Sequence, residues 1–395
     1  MRKLLLLLVI CLFPFSVFSL EYPTVNSKKV EIYDLNDKKI LHEIDSSDKT
    51  SIASLTKIVT TMVAIENIKN LDEEVTISPK IIASVDREAS VAGLKLNDKV
   101  TYKDLLYASM LPSGADATNA IAISSTGSID NYVDKMNDLA KKLKLNNTHF
   151  NNVTGLDDPN HYSSADDMRK LLEYALSNKL FKEIYTTKEY ELSNGLKVKS
   201  TLYKYNASQD TMNKIIDSKT GFTGNAGYCL SSLSNINGHE MIIIVLNADK
   251  TYNLSDTVTF INYLNENFKE EVLIEKNKLV KTIPVNLSKI DKYEIYSDKE
   301  IKKYLPSDYD KKKFVIKYDG LEELSFTNKK GSDIGTVSYY YDKELLYKQK
   351  IKVNKDIKMD IVKVLKKYYY VIIIFVLVVL VAVIFGKKKK KRKSD

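Results

Sequence analysis

Residues 215–248 read IIDSKTGFTGNAGYCLSSLSNINGHEMIIIVLNA. The segments "IIDSKTGFT" and "GYCLSSLSN" have the composition of strands. Asn237-Gly238 is the strongest short hairpin signal, and "HEMIIIVLNA" follows it as a continuous apolar run, the pattern of a buried strand. Strands joined this closely pair antiparallel. A helix is expected next, over Asp256–Phe268, and helical patterns also precede the sheet. An antiparallel sheet with helices before and after it is α+β, a helix–sheet–helix sandwich, and excludes a parallel α/β sheet.

Upstream, Val30–Asp34 and Lys39–Ile44 read as two strands joined by a polar turn around Asn36 and Asp37. Ser54 opens an apolar helical stretch reaching about Asn67, and Thr101–Met110 is a second helix. Pro112-Ser113-Gly114 is a turn, and Ala115–Ile123 is a helix of small residues whose start falls at Ser113. Ile129–Leu143 places Ile129, Tyr132, Met136, Leu139 and Leu143 on one helical face, and Ala165–Asn178 is helical too. Downstream, short apolar runs such as "TIPVNL", "KFVIKY" and "GTVSYYYD" alternate with polar turns, which predicts a small all-β domain over 269–354.

The termini carry the charge. The 395-residue chain has a formal charge of +9, but without Arg2, Lys3, the 387–393 run and Asp395 the body has 51 basic against 50 acidic residues. A nucleic-acid partner is not expected. "MRKLLLLLVICLFPFSVFS" reads as a secretory signal peptide over 1–19, cleaved after Ser19. Tyr368–Phe385 is eighteen residues without a charge, about 27 Å as a helix, followed by KKKKKRK. This predicts a linker over 355–367, a transmembrane helix over 368–385 and a basic cytoplasmic tail over 386–395, with the body outside the cell. Cys229 is the one cysteine beyond the signal peptide and reads as a core residue, so no internal disulfide is expected.

His42, His149, His161 and His239 form no HExxH and no Cys/His cluster, so no metal and no cofactor are expected. Three other elements carry chemistry. Ser54-Leu55-Thr56-Lys57 places a hydroxyl and an amine at i and i+3, on one helical face. The alternative reading of Ser54 is a helix N-cap. Ser113-Gly114 precedes a helix. Lys219-Thr220-Gly221 lies on a strand, where a cation and a hydroxyl can meet a carboxylate and the glycine admits a neighbouring backbone. In this order, the three form the signature of penicillin-recognising serine enzymes.

The chain resembles the D-alanyl-D-alanine carboxypeptidases, the low-molecular-mass penicillin-binding proteins of the S11 peptidase type. The resemblance runs through "ASLTKIVT", "LKLNDKVTYKDLLYASMLPSGADA", "GLDDPNHYSSADDM" and "SKTGFTGNAGYCL". It implies a penicillin-binding/β-lactamase-like catalytic domain over 20–268, followed by the β-rich domain and the membrane anchor. It implies that Ser54 attacks the D-alanyl-D-alanine carbonyl of a peptidoglycan stem peptide, with Lys57 as general base. Burial and nearby positive charge, supplied by Lys219, would lower the Lys57 pKa. Ser113 would relay a proton to the leaving D-alanine. Lys219, Thr220 and Gly221 would bind the terminal carboxylate beside Phe222, and the amides of Ser54 and Phe222 would form an oxyanion hole. β-Lactam antibiotics would acylate the same serine. The oligomeric state is not legible.

One position departs from the family. Its second motif is Ser-x-Asn, and this chain has Ser113-Gly114-Ala115, with Asn119 one turn on as a replacement amide. Two other readings stay open at this point. One is a non-catalytic penicillin-binding or wall-sensing module. The other is a serine β-lactamase, which needs a deacylating glutamate.

Overall fold

The computed structural model describes residues 20–202 and 214–391, with side chains described as far as Phe385. The expected signal peptide and residues 392–395 lie outside the described residues. The chain divides into two compact units, the first ending at Lys269 and the second beginning at Glu270.

In the first unit, β1 (Lys29–Asp34), β2 (Lys39–Ile44), β7 (Asp217–Thr223), β8 (Gly227–Ile236) and β9 (His239–Ala248) form one sheet in the order β2-β1-β9-β8-β7. Every pairing in it is antiparallel. The remaining strands are the short ribbons β3 (Glu74–Thr76) with β4 (Lys99–Thr101), and β5 (Glu189–Glu191) with β6 (Lys197–Lys199). Asn237 and Gly238 have φ of 52° and 89° and close the β8–β9 hairpin, as that dipeptide favours. Cys229 is fully buried in β8, and burial pushes its thiol pKa up to about 12, so it is an inert core residue.

Eight helices are described in this unit: α1 (Lys57–Asn67), α2 (Pro79–Ala83), α3 (Tyr102–Met110), α4 (Ala115–Thr126), α5 (Ile129–Lys142), α6 (Ala165–Leu176), α7 (Lys179–Thr186) and α8 (Tyr252–Asn267). Side chains alternate across a strand, and β1 shows the consequence. Glu31 and Tyr33 point to α6, where Arg169 pairs with Glu31 at 2.7 Å and its guanidinium lies 4.5 Å from the Tyr33 ring. Ile32 points the other way. Its cross-strand partner His42 packs against Phe260 of α8, with ring centroids 5.8 Å apart. The sheet is therefore covered on both faces, the expected sandwich. Helix α8 begins four residues before the expected Asp256. That side chain makes tertiary contacts instead, accepting from the amides of Asn26 and Ser27 and from the Ser27 hydroxyl.

Apart from a 3₁₀ turn at Lys311–Lys313, the second unit is all-β up to its last helix. Its strands are β10 (Phe268–Ile274), β11 (Leu279–Asn286), β12 (Lys292–Tyr296), β13 (Ile301–Pro306), β14 (Phe314–Gly320), β15 (Leu324–Ser325), β16 (Asp333–Tyr341) and β17 (Glu344–Lys352). Sheets β12-β11-β15 and β14-β16-β17 share a core that includes Ile283, Val285, Val337 and Tyr339. The final helix, α9 (Ile361–Lys391), starts seven residues before the expected Tyr368, so the link from the β strands is shorter than 355–367. Asp360 explains the early start. Its carboxylate accepts from the amides of Val362 and Lys363, capping the helix. The Lys363 amine then reaches the Ser288 carbonyl and Asp291, each at 2.8 Å, fastening the helix start to the turn after β11. Ile361–Phe385 is long and apolar enough to cross a membrane and none of it is buried in the protein.

Candidate active site

Ser54 does not cap α1. It lies inside a 3₁₀ turn, Ala53–Thr56, that leads into the helix, and its hydroxyl accepts a hydrogen bond from Lys57 Nζ at 3.0 Å. Ala53, just before it, has a φ of +47°, a left-handed conformation that costs energy for any residue with a β-carbon. The turn therefore presents Ser54 from a strained backbone.

Lys57 is buried, and its amine donates to the Thr154 carbonyl at 2.7 Å as well as to Ser54. Burial lowers its pKa to about 7, partly opposed by the Asp116 carboxylate. Of the two expected causes, burial is the one that lowers it, and Lys219 is not among the causes. A pKa near 7 leaves a large fraction of neutral amine at physiological pH, which a general base requires.

Ser113 does not start its helix either. Gly114 occupies the N-cap of α4, and Ser113 has a φ of +64°. Gly114 cannot carry a side chain there, because a β-carbon would fall 2.7 Å from the Ala108 carbonyl. The Ser113 hydroxyl accepts from Lys219 Nζ at 2.9 Å. Lys219 is itself buried in edge strand β7 and also donates to the Thr220 carbonyl. Gly221 lets β7 approach the Ser54 turn: a β-carbon on it would lie 3.0 Å from the Ser54 amide nitrogen and from Ala53 Cβ. The three sequence elements therefore meet at one place, through Ser54–Lys57, Ser113–Lys219 and Gly221–Ser54.

They line a cleft of about 490 Å³, in which Ser54, Ser113, Thr220, Gly221 and Phe222 are joined by Glu88, Ser90, Thr201, Tyr228 and Thr251. Phe222 is exposed and packs on Tyr228 at the lip, with centroids 4.4 Å apart. The Thr201 and Thr220 hydroxyls are 2.6 Å apart. Lys219 and Lys57 stand behind this lining. Ser54, Ser113, Thr201 and Thr220 put hydroxyl-bearing residues on the lining, while the two lysines are not among the lining residues described.

Ala115 is buried, and its amide donates to the Ser90 carbonyl. Asn119 does not stand in for the missing amide. Its Nδ2 donates to the Ser84 carbonyl and hydroxyl, away from Lys57. Asp116 accepts from the amides of Ala92, Gly93 and Leu94. Together Ala115, Asp116 and Asn119 fasten the 84–94 loop, and with it Glu88 and Ser90, to helix α4.

Reading the sequence missed the 151–161 loop. Asn152 Oδ1 accepts from the amides of Thr154 and Gly155, which shapes the loop so that the Thr154 carbonyl meets Lys57. Gly155 has a φ of +90°, and a β-carbon there would sit 1.9 Å from the Ala53 carbonyl oxygen. His161, at the loop's far end, is 2.7 Å from the Thr56 hydroxyl. The run "GLDDPNHYSSADDM" holds Gly155 and His161 but starts after Asn152 and Thr154, and nothing in its composition marks the roles of the two it holds.

Asp34, Asp37 and His239 are one group whose donor atoms come within 4.8 Å of one another, as a metal site would require. Asp34 there pairs with His239 Nδ1 at 2.8 Å and accepts from the amides of Asn36 and Asp37, so it clasps the β1–β2 turn. None of the three is among the cleft-lining residues.

The family model for the S11 peptidases, described as D-alanyl-D-alanine carboxypeptidase, matches residues 16–250. The chain is 27% identical over 338 residues to the D-alanyl-D-alanine carboxypeptidase DacF of Bacillus subtilis, covering 84% of this chain and 86% of that one. It is 32% identical over 214 residues to the D-alanyl-D-alanine carboxypeptidase of Streptomyces sp. K15, covering 50% of this chain and 72% of the relative. Among solved structures, penicillin binding protein 5 from Haemophilus influenzae superposes with a TM-score of 0.63 at 24% identity, covering 86% of this chain and all of that chain, a likeness of fold.

Proposed function

The chain belongs to the S11 family of D-alanyl-D-alanine carboxypeptidases, and on that premise we propose that Ser54 is its acylated nucleophile, Lys57 the general base and Ser113 the proton relay. The protein is a serine-type D-Ala-D-Ala carboxypeptidase that removes the terminal D-alanine from peptidoglycan stem peptides and is acylated by penicillin. The observation that carries the assignment of roles is the 3.0 Å contact between Ser54 Oγ and a Lys57 amine whose pKa is near 7.

The proposed reaction uses these contacts as follows. Neutral Lys57 takes the Ser54 proton as the oxygen attacks the carbonyl between the two terminal D-alanines. The Ser54 amide, beside Gly221, and the Phe222 amide donate to the developing oxyanion. The terminal carboxylate meets the Thr220 and Thr201 hydroxyls, with the Lys219 charge behind them. This modifies direct contact with Lys219, because that side chain is buried against Ser113. The Lys219–Ser113 bond aims the Ser113 hydroxyl as the donor to the leaving amine. The C–N bond breaks as Ser113 protonates the leaving nitrogen and takes the proton held by Lys57 in its place; D-alanine departs, and water, deprotonated by the again neutral Lys57, attacks the ester, the proton returning to Ser54 Oγ as the ester C–O bond breaks.

Helix α9 anchors the protein in the membrane. The basic run after Phe385 supports a cytoplasmic C-terminus and, with it, a catalytic unit on the outer side.

Ala115 motivates a second reading, a wall-sensing module that binds penicillin without turning over peptide. One experiment separates them. The full-length chain and its Ser54→Ala variant, in detergent, are each given a pentapeptide stem and, separately, labelled penicillin. D-Alanine release and penicillin labelling, both lost in Ser54→Ala, are expected. Release that survives the substitution would remove the serine mechanism. Stable labelling without release would favour the sensor, and rapid penicillin turnover a β-lactamase.

A further inference from the structure

His161 is buried and makes two hydrogen bonds of opposite sense. The Asn151 amide donates to its Nδ1 at 3.0 Å. A ring nitrogen that accepts carries no hydrogen, so the proton of the neutral ring is on Nε2. Nε2 is 2.7 Å from the Thr56 hydroxyl and donates to it. Thr56 passes its own hydrogen on to the Ala53 carbonyl at 2.9 Å. The relay runs one way, from the Asn151 amide through His161 and Thr56 to the residue before Ser54.

Its end point is the strained residue of the nucleophile turn. A left-handed non-glycine conformation persists only where its surroundings over-determine it. Ala53 is held on its carbonyl by Thr56 and walled by Gly155, where there is no room for a methyl. Thr56 sits at the N-cap of α1, yet its side chain makes no capping bond. The hydroxyl is committed to the relay instead. His161 also closes the loop that carries Thr154, the carbonyl acceptor of Lys57. Burial lowers its pKa to about 4, which keeps it uncharged at neutral pH.

We infer that His161 is a positioning residue for acylation, holding Ser54 through Thr56 and the Ala53 carbonyl, and Lys57 through the Thr154 loop. It touches neither substrate nor reacting atoms and moves no proton in the cycle. The inference rests on Ser54 being the acylated nucleophile.

The test is a double-mutant cycle on the full-length chain, read by the rate of labelled-penicillin acylation. Thr56→Val keeps the side-chain shape, His161→Phe keeps a flat ring, and each removes the relay. Each is expected to slow the acylation step about 10- to 100-fold with little change in non-covalent penicillin binding. The double variant should be no slower than the slower single one, since both break the same chain. Thr56→Ser, which keeps the hydroxyl, should restore near-parental acylation. Wild-type acylation rates in both single variants, or losses that multiply in the double variant, would overturn the inference. If His161→Phe does not fold, the Thr56→Val and Thr56→Ser pair decides: equal rates would overturn it, and a slow Val beside a fast Ser would support it. Failure of the underlying reading looks different, because the parent chain would then carry no label on Ser54.

Discussion

Gly221 of strand β7 lies directly against Ser54: a β-carbon added to the glycine would sit 3.0 Å from the serine amide nitrogen. The same added atom would be 3.1 Å from the Ile52 carbonyl, so relief requires moving the strand off the Ser54 turn. Gly221→Ala is therefore expected to leave the fold intact and reduce penicillin acylation by about 10- to 100-fold, through misplacement of the oxyanion donors. Stopped-flow acylation with a thermal melt as control measures it. Acylation at the parental rate would show that the close approach is incidental.

The Lys57 amine is expected to set the acid limb of the rate profile. With a pKa lowered to about 7 by burial, kcat/KM for D-alanine release should rise through pH 7 as the amine loses its proton. The stability effect has a definite sign. Between pH 7 and the ordinary lysine value of 10.5, the unfolded chain holds a proton that the folded chain has released, so stability contributed by this group rises with pH across that window. A limb centred below pH 5, where carboxylates titrate, would assign it to another group.

Asp116 pulls the other way on Lys57. Asp116→Asn keeps an acceptor for the amides of the 92–94 loop and removes the charge. The acid limb should then move to lower pH. KM for the stem peptide should rise, because the loop that carries Glu88 and Ser90 loses charge-assisted bonds. An unchanged limb in a folded variant would mean that Asp116 does not act on the lysine.

Ser113→Ala removes one acceptor of the buried Lys219 amine and the hydroxyl proposed to protonate the leaving nitrogen. D-Alanine release should fall by about 10²- to 10⁴-fold, the usual weight of a positioned acid–base group. A β-lactam amide bond is ring-strained and its nitrogen does not leave the molecule, so acylation by penicillin should suffer less than peptide release. Equal losses for both substrates would point to a general disturbance of the site.

A chain ended after Asp360 keeps the Asp360 amide bond to the Leu287 carbonyl but lacks the apolar helix. It should move from the membrane to the soluble fraction and still be labelled by penicillin. Fractionation followed by fluorescent-penicillin gels tests this. A truncated chain that stays in the membrane would show a second attachment.

The residues themselves determined a good deal. Asn237-Gly238 and the apolar run after it specified the β8–β9 hairpin, because positive φ and strand burial are local demands on residue type. Ser54 and Lys57 were paired by helical spacing. Tyr368–Phe385 and its basic flank specified an apolar anchor by length and charge. Only the tertiary structure decided the rest. It placed Ser54 in a 3₁₀ turn and Ser113 in a left-handed one, because both hydroxyls have lysine partners that a helix cap would forgo. Of the two causes expected to lower the Lys57 pKa it kept burial and not Lys219, because the balance depends on every group packed around an amine rather than on spacing along the chain. It turned Asn119 toward Ser84. Above all it brought the 151–161 loop to the Ser54–Lys57 turn, some hundred residues away in the chain. Thr154 contributes a backbone carbonyl and Gly155 contributes the absence of a side chain. Neither leaves a chemical signature in a sequence, because any residue has a carbonyl and a glycine's missing methyl matters only where another chain segment fills the space.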